Sequence, residues 1–325
     1  MGSRDQEQKT QNTDFAGQAV ATRDAYGAAL LELGKSNKNI VVLDADLSGS
    51  TKTKCFSKAF PERFFNMGIS EQDMIGTAGG LSLTGKVPFA STFAVFETGR
   101  AWEQIRQTLC YSHLNVKLAA THSGITVGED GASHQSLEDI ALMRVLPGMT
   151  VIVPADGFET KQAIDAAAEF EGPVYIRLGR SKVPAVMPKD YKFQIGKAYT
   201  YSLGKDATIV AAGIMVSAAL EAKEILSKEG IDAGVINMST IKPLDGGALL
   251  AAADKSKLIL TAEEHSIIGG LGSAVAEFLS ENHPVKVVKI GMRDTFGCSG
   301  PPKELLQLYG LTAANMAETI KESLR

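Results

Sequence analysis

Four stretches of the chain carry residue types that can do chemistry. In FFNMGISEQDMIGTAGG (residues 64–80) one carboxylate, Glu71, lies between an apolar approach and a segment of small residues. Local helix chemistry accounts for it in part: Ser70 can cap a helix, Asp73 completes a capping-box pattern, and a first-turn acid is favoured by the helix dipole. DADLSGSTKT (44–53) sets two acids before a run of hydroxyls. STFAVFETGR (91–100) spaces Phe93 and Phe96 three apart, as core at helical spacing or as a ring-stacking surface. THSGITVGEDGASHQ (121–135) packs two His, two acids and three Gly into fifteen residues. Its GEDG fits a turn. His122 and His134, with Asp130, match no usual zinc spacing, so no metal site is assigned.

Each stretch follows or flanks a strand-like run. NIVVLDADLS (39–48), KVPFASTF (86–93), VKLAATHSG (116–124), MTVIVPAD (149–156) and PVYIRLG (173–179) are short, apolar and β-branched. Between them lie helical patterns: ATRDAYGAALLELGKS with a stop at Gly34, GRAWEQIRQTLCY, and FETKQAIDAAAEFEG. This alternation predicts a mostly parallel sheet covered on both faces. A Pro- and Lys-rich break, KVPAVMPKDYKFQIG (182–196), precedes a second βα series that begins at ATIVAAG. The expected architecture is α/β, with two doubly wound domains. A flexible tail covers 1–17, the first domain 18–185, a linker 186–195 and the second domain 196–325. Open sheets of this kind bind ligands beyond the carboxyl ends of their strands, which is where the chemical residues fall.

Composition narrows the function classes. The 325 residues are 44% hydrophobic and 22% charged with a net charge of −4, and the basic residues are scattered, so neither nucleic acid nor an anionic membrane is an expected partner. No window has the apolar length of a membrane span, and the N-terminus lacks a signal-peptide core. Cys55, Cys110 and Cys298 form no disulfide framework and no CxxC pattern, which fits a reducing cytoplasm. GGLGSA (269–274) matches part of a dinucleotide fingerprint, but the first βα turn of its domain does not, so close helix packing is the expected reason for those glycines. Neither a P-loop nor a G-x-S-x-G elbow is present.

Taken in order, GISEQDMIGTAGGLSLTG, PFASTFAVF, THSGITVGEDGASHQSLEDIALMRVLPGMTVIVPAD and GPVYIRLGRSKVP resemble the pyrimidine-binding domain of transketolases. EEHSIIGGLGSAVAE and its surrounding βα series resemble the transketolase C-terminal domain. The N-terminal domain of a complete transketolase, which binds the diphosphate of thiamine diphosphate through a metal with a GDG…N motif, has no counterpart in these motifs. The resemblance therefore implies the C-terminal subunit of a split transketolase, active with a separate N-terminal subunit. It would transfer a two-carbon ketol unit between ketose and aldose phosphates in the pentose phosphate pathway. Mg²⁺ or Ca²⁺ would be bound mainly by the partner, and two copies of each chain would form an α2β2 assembly.

The resemblance also assigns roles position by position. Glu71 matches the acid that hydrogen-bonds the aminopyrimidine ring and promotes the tautomer whose nitrogen takes the thiazolium proton. Burial beside Phe65, Met67 and Phe93 would raise its pKa and a helix N-terminus would lower it. Phe93 and Phe96 resemble the aromatics that flank the pyrimidine, although Glu97, Thr98 and Gly99 follow where some relatives add another aromatic. Asp46 resembles an acid near the cofactor. His122, Asp130 and His134 match substrate positions, the two histidines as catalytic candidates and Asp130 for a sugar hydroxyl. Arg23, Ser50 and Arg180 match phosphate-holding positions, a task suited to bidentate guanidinium donors. A deoxyxylulose-phosphate synthase-like enzyme usually carries Asp-Arg at His122-Ser123, and 2-oxo acid dehydrogenase β subunits lack GEDGASHQ. Transketolase therefore leads, and the alternatives are a split relative acting on another sugar phosphate or a deoxyxylulose-phosphate synthase-like enzyme, and then a non-catalytic regulatory module.

Overall fold

The structure, a computed structural model, describes residues 15–325. The tail expected over 1–17 lies outside the described residues up to residue 14; Phe15 is buried against Ala25 and Ala28. Two α/β units follow, as expected. The first sheet has seven strands in the spatial order Thr240–Lys242, Thr150–Ile152, Val174–Arg177, Lys117–Ala120, Val87–Ser91, Ile40–Asp44 and Phe64–Asn66. All its pairings are parallel except that of Thr240–Lys242 with Thr150–Ile152. The second sheet runs Lys286–Met292, Leu258–Ser266, Ala207–Ala211, Ala233–Asn237 and Tyr199–Ser202, with only the last strand antiparallel.

The central strands are buried along their whole length because helices cover both faces. Side chains alternate between faces. Ile40 and Val42 join Tyr26, Leu30, Phe89 and Ile164 on one side. Leu43 and Ala45 join Met74, Ile75 and Ile105 on the other, in a core that continues through Ile236, Ile259 and Leu271 of the second unit. One apolar cluster thus spans both halves.

Several local expectations change. The first helix runs past Gly34 to Ser36. Gly34 is there for close approach: a Cβ would lie 2.5 Å from the Phe60 ring and 2.6 Å from Phe56. GRAWEQIRQTLCY is not one α-helix but Ala94–Arg100, Trp102–Gln104 and a π-helical stretch Ile105–Tyr111, which widens the turn. The Pro- and Lys-rich segment after the first sheet is packed down. Lys182–Val183 pairs with Val20–Ala21, Val186 and Met187 donate their N–H groups to Asp156, and the Tyr191 hydroxyl donates to Glu159. In GGLGSA the helix N-terminus is filled by the protein's own acid, since Glu263 accepts from the Leu271 N–H at 2.7 Å and the Gly272 N–H at 2.8 Å. A Cβ at Gly270 would collide with that carboxylate, so packing explains these glycines.

Gly→Ala in an unobstructed helix interior is stabilising. Gly34→Ala has the opposite expected sign and costs about 1–3 kcal/mol by overpacking, read as a lowered denaturation midpoint; an unchanged or raised midpoint would show that the two phenylalanine rings yield freely.

Candidate functional site

Glu71 opens the helix Glu71–Ser82 and is only 4% exposed. Ser70 holds the cap position, but its side chain makes no capping bond. The carboxylate instead meets Arg100, whose Nη1 lies 3.0 Å from Glu71 Oε1. The same guanidinium sits over the Phe96 ring, 4.4 Å from its centroid. Phe96 stacks on Phe93 at 5.8 Å, and Phe93 stacks on His122 at 3.8 Å. His134 presents its ring to both phenylalanines in an edge arrangement, at 6.2 Å and 5.4 Å. Acid, guanidinium, two phenyl rings and two imidazoles therefore form one connected wall.

His122 follows the strand Lys117–Ala120 in a left-handed conformation (φ 57°), which aims its ring back over Phe93. Its Nε2 lies 3.0 Å from Arg23 Nη1 and its Nδ1 lies 2.8 Å from the Thr121 hydroxyl. A guanidinium can only donate, so Nε2 is the acceptor and the neutral ring carries its proton on Nδ1. Burial first, then Arg23 and Arg180, push its pKa down to about 3. Arg23 also donates to the Ser50 carbonyl at 3.2 Å, so Ser50 enters through its main chain. Arg180 donates to the Val127 carbonyl at 2.5 Å and faces Asp130 at 3.4 Å and Glu129 at 3.8 Å. Asp46 stands apart on the exposed rim, also left-handed (φ 62°), and accepts from Asn66 at 2.9 Å.

Three contributors were not singled out from sequence. Arg100 is one helical turn after Phe96, a spacing that could have suggested the contact. Asp44, fully buried, accepts from the Thr51 and Thr53 hydroxyls at 2.6 and 2.8 Å and from the Leu47 N–H at 2.6 Å, folding the loop that brings Ser50 to Arg23. Glu97 is fully buried and neither carboxyl oxygen has a hydrogen-bond partner. Burial, then the nearby Asp44 and Glu71, push it well above the usual carboxylate range. No sequence signal marks it. Among the described residues no group of three or more His, Cys, Asp or Glu could hold a metal ion, and no helix is long and apolar enough to cross a membrane.

The neutral imidazole is testable. Because the folded pKa lies below the unfolded value of 6.5, the stability tied to neutral His122 is present above that value and lost as pH falls toward about 3. In a histidine NMR titration, with His122→Asn identifying the signal, the His122 resonance should stay in its neutral position at pH 5; a midpoint near 6.5 would contradict the assigned environment.

Residues 18–186 match the family model of the transketolase pyrimidine-binding domain, and residues 196–316 that of the transketolase C-terminal domain. A Methanocaldococcus jannaschii protein described as a transketolase C-terminal section is 51% identical over 93% of this chain and 96% of its own length. The 6-deoxy-6-sulfo-D-fructose transketolase subunit of a Clostridium species is 42% identical over 92% of this chain and 93% of its own. A solved structure described as a split gene transketolase, inactive β4 tetramer, is 58% identical, with a TM-score of 0.88 over 94% of this chain and 98% of that one. The chain belongs to the transketolase family, carrying its pyrimidine-binding domain followed by its C-terminal domain and corresponding to the C-terminal section of the split members.

Proposed function

We propose that this chain, with an N-terminal partner subunit, is a transketolase that moves a two-carbon ketol unit from a ketose phosphate to an aldose phosphate in the pentose phosphate pathway. The observation that carries the reading is the setting of Glu71. It is a buried acid at a helix start, joined through Arg100 to the ring faces of Phe96 and Phe93, on the wall that continues to His122 and Arg23, with Arg180 close enough to act on the His122 ring. One protonatable acid beside aromatic faces fits the aminopyrimidine end of thiamine diphosphate. The diphosphate and its Mg²⁺ or Ca²⁺ are assigned to the partner subunit.

Thiamine diphosphate, when bound, supplies the carbon nucleophile and electron sink. Glu71 would hold a proton against the pyrimidine ring nitrogen, and Phe93 and Phe96 would orient the ring. Asp46 would act from the rim. Neutral His122, its Nδ1 proton tied to Thr121, can accept or relay a hydrogen bond without adding a positive charge. His134, on the facing edge, would meet a sugar hydroxyl or the phosphate, and Asp130 a sugar hydroxyl. Arg23 and Arg180, with Ser50, would hold the terminal phosphate.

In this reading residues 18–185 and 196–325 are the two working domains, joined by 186–195, and the enzyme is a cytoplasmic α2β2 assembly with two-fold symmetry. The relative described as an inactive β4 tetramer supports an activity that needs the second subunit. The relative named for 6-deoxy-6-sulfo-D-fructose favours a second reading, a donor with another anionic terminus, because a guanidinium pair accommodates sulfonate as well as phosphate.

Coexpression with an N-terminal subunit should yield thiamine-diphosphate-dependent turnover of xylulose 5-phosphate with ribose 5-phosphate. A donor screen separates the two readings, and activity from this chain alone would refute the subunit assignment. In the complex, Glu71→Gln should lower kcat by about 10²–10⁴-fold with the fold intact by circular dichroism. Arg180→Ala should raise the donor KM about tenfold or more with a smaller effect on kcat. Full activity in either variant would remove that residue from its role.

A further inference from the structure

The loop that carries Asp130 and His134 has little regular structure of its own. Between Gly124 and Gln135 it contains only the 3₁₀ stretch Ile125–Asp130 and a turn over 132–134, and three of its glycines, Gly124, Gly128 and Gly131, take positive φ. Such a segment has a large conformational freedom to lose, yet Ile125–Gly128 is fully packed away from solvent. Its fixed points come from the second domain.

Glu264, on the strand Leu258–Ser266, places Oε1 2.6 Å from the Thr126 N–H, and its carboxyl fills the space against Gly124 that any Cβ would need. From the other side, Gln135 reaches out of the loop with its amide NH₂. It donates to the Cys298 carbonyl at 2.9 Å and back to the Ile125 carbonyl at 3.2 Å. Ser299 leaves no room for a side chain at Gly131, and Pro302 lies tight against Gly128, where a Cβ would come within 3.2 Å of its ring. The loop is therefore gripped between a strand end and the 297–302 segment, both beyond residue 196.

We propose that the C-terminal domain serves as the positioning device for this loop, with Glu264 and Gln135 as the positioning residues that set how tightly the sugar is held at Asp130 and His134. This rests on the reading of those two residues as substrate contacts. Neither Glu264 nor Gln135 touches the reacting atoms in this scheme. Glu264 fixes the loop's entry by accepting an otherwise unpaired buried N–H, and Gln135 closes its exit by spanning to the second domain. A loop so gripped arrives pre-organised, and releasing it adds an ordering cost to substrate binding rather than to the chemical step.

Glu264→Leu removes the acceptor for Thr126, Glu264→Gln keeps one at the same reach, and Gln135→Met deletes all the donated bonds, including one to the Gly128 carbonyl at 3.5 Å, at equal length. Hydrogen exchange on the chain itself, without ligands, should accelerate about tenfold or more in peptides covering 124–136 for Glu264→Leu and Gln135→Met, with the sheet strands unaffected. Glu264→Gln should return exchange close to wild type. In the assembled enzyme the donor KM should rise about tenfold for Glu264→Leu while kcat stays within about threefold, again recovered by Glu264→Gln. Unchanged loop exchange, or acceleration spread evenly over the domain, would overturn the proposal, as would a fall in kcat equal to the fall in kcat/KM. A wild-type complex with no sugar-phosphate turnover would defeat the functional reading alone, leaving the exchange measurements to decide the grip.

Discussion

Arg177 is a cation taken out of water, and the junction of the two sheets beside the site depends on how its charge is answered. It is 5% exposed, and Asp139 beside it is fully buried. Its Nε lies 2.7 Å from Asp139 Oδ2 and its Nη2 lies 3.2 Å from Oδ1, while Nη2 also donates to the Ser136 and Glu264 carbonyls at 3.3 and 2.9 Å. The Tyr175 hydroxyl completes the set at Asp139 Oδ2. Burial opposes the charge on Asp139, but the Arg177 guanidinium, the neighbouring His265 and the hydrogen bonds from Arg177 and Tyr175 together hold the acid below its ordinary pKa. An unanswered charge here would cost several kcal/mol, so few alternative geometries are open. The pair joins the end of a central strand, the residues just after the substrate loop, and the second sheet.

Beyond that fixed point the site is shaped by departures from ordinary backbone. His122 and Asp46 both adopt positive φ immediately beyond strands, a conformation that costs a non-glycine residue about 1 kcal/mol or more. At His122 the return is visible in contacts: the ring lies on Phe93 and reaches Arg23. Because the imidazole is neutral, it adds no second positive charge beside Arg23. Arg23 thus stands on one side of the His122 ring and the phenyl face of Phe93 on the other, with the buried Glu71 reached through Phe96 and Arg100.

Much of this was legible in the chain. Parallel strands covered on both faces must be continuous apolar runs, so Ile40–Asp44, Val87–Ser91, Lys117–Ala120 and Val174–Arg177 announced themselves, and the polar residues after them fell where such sheets open. Phe93, Phe96, His122 and His134 do meet. What was hidden depends on three-dimensional packing. Glu97 follows Phe96 in an unremarkable way, and only the helix rotation against the sheet shows that it points inward. Ser50 reaches Arg23 through a carbonyl, a group that every residue type carries. Gly34 looks like a helix stop until the rings of Phe56 and Phe60 are seen against it. The three-residue strand Thr240–Lys242 is too short for any periodicity to reveal, and its partner lies some ninety residues away.

That short strand has a consequence for how the chain can be handled. It comes from the second half of the sequence but completes the first sheet, pairing antiparallel along Thr150–Ile152. Without it, Thr150–Ile152, buried along its whole length, would become a bare sheet edge offering unpaired N–H and C=O groups to any other chain. A fragment cut after the first αβ series would therefore carry an adhesive border as well as half of the shared apolar core. The two halves read as separate modules in sequence, but physically they are a matched pair in which each conceals what would make the other aggregate.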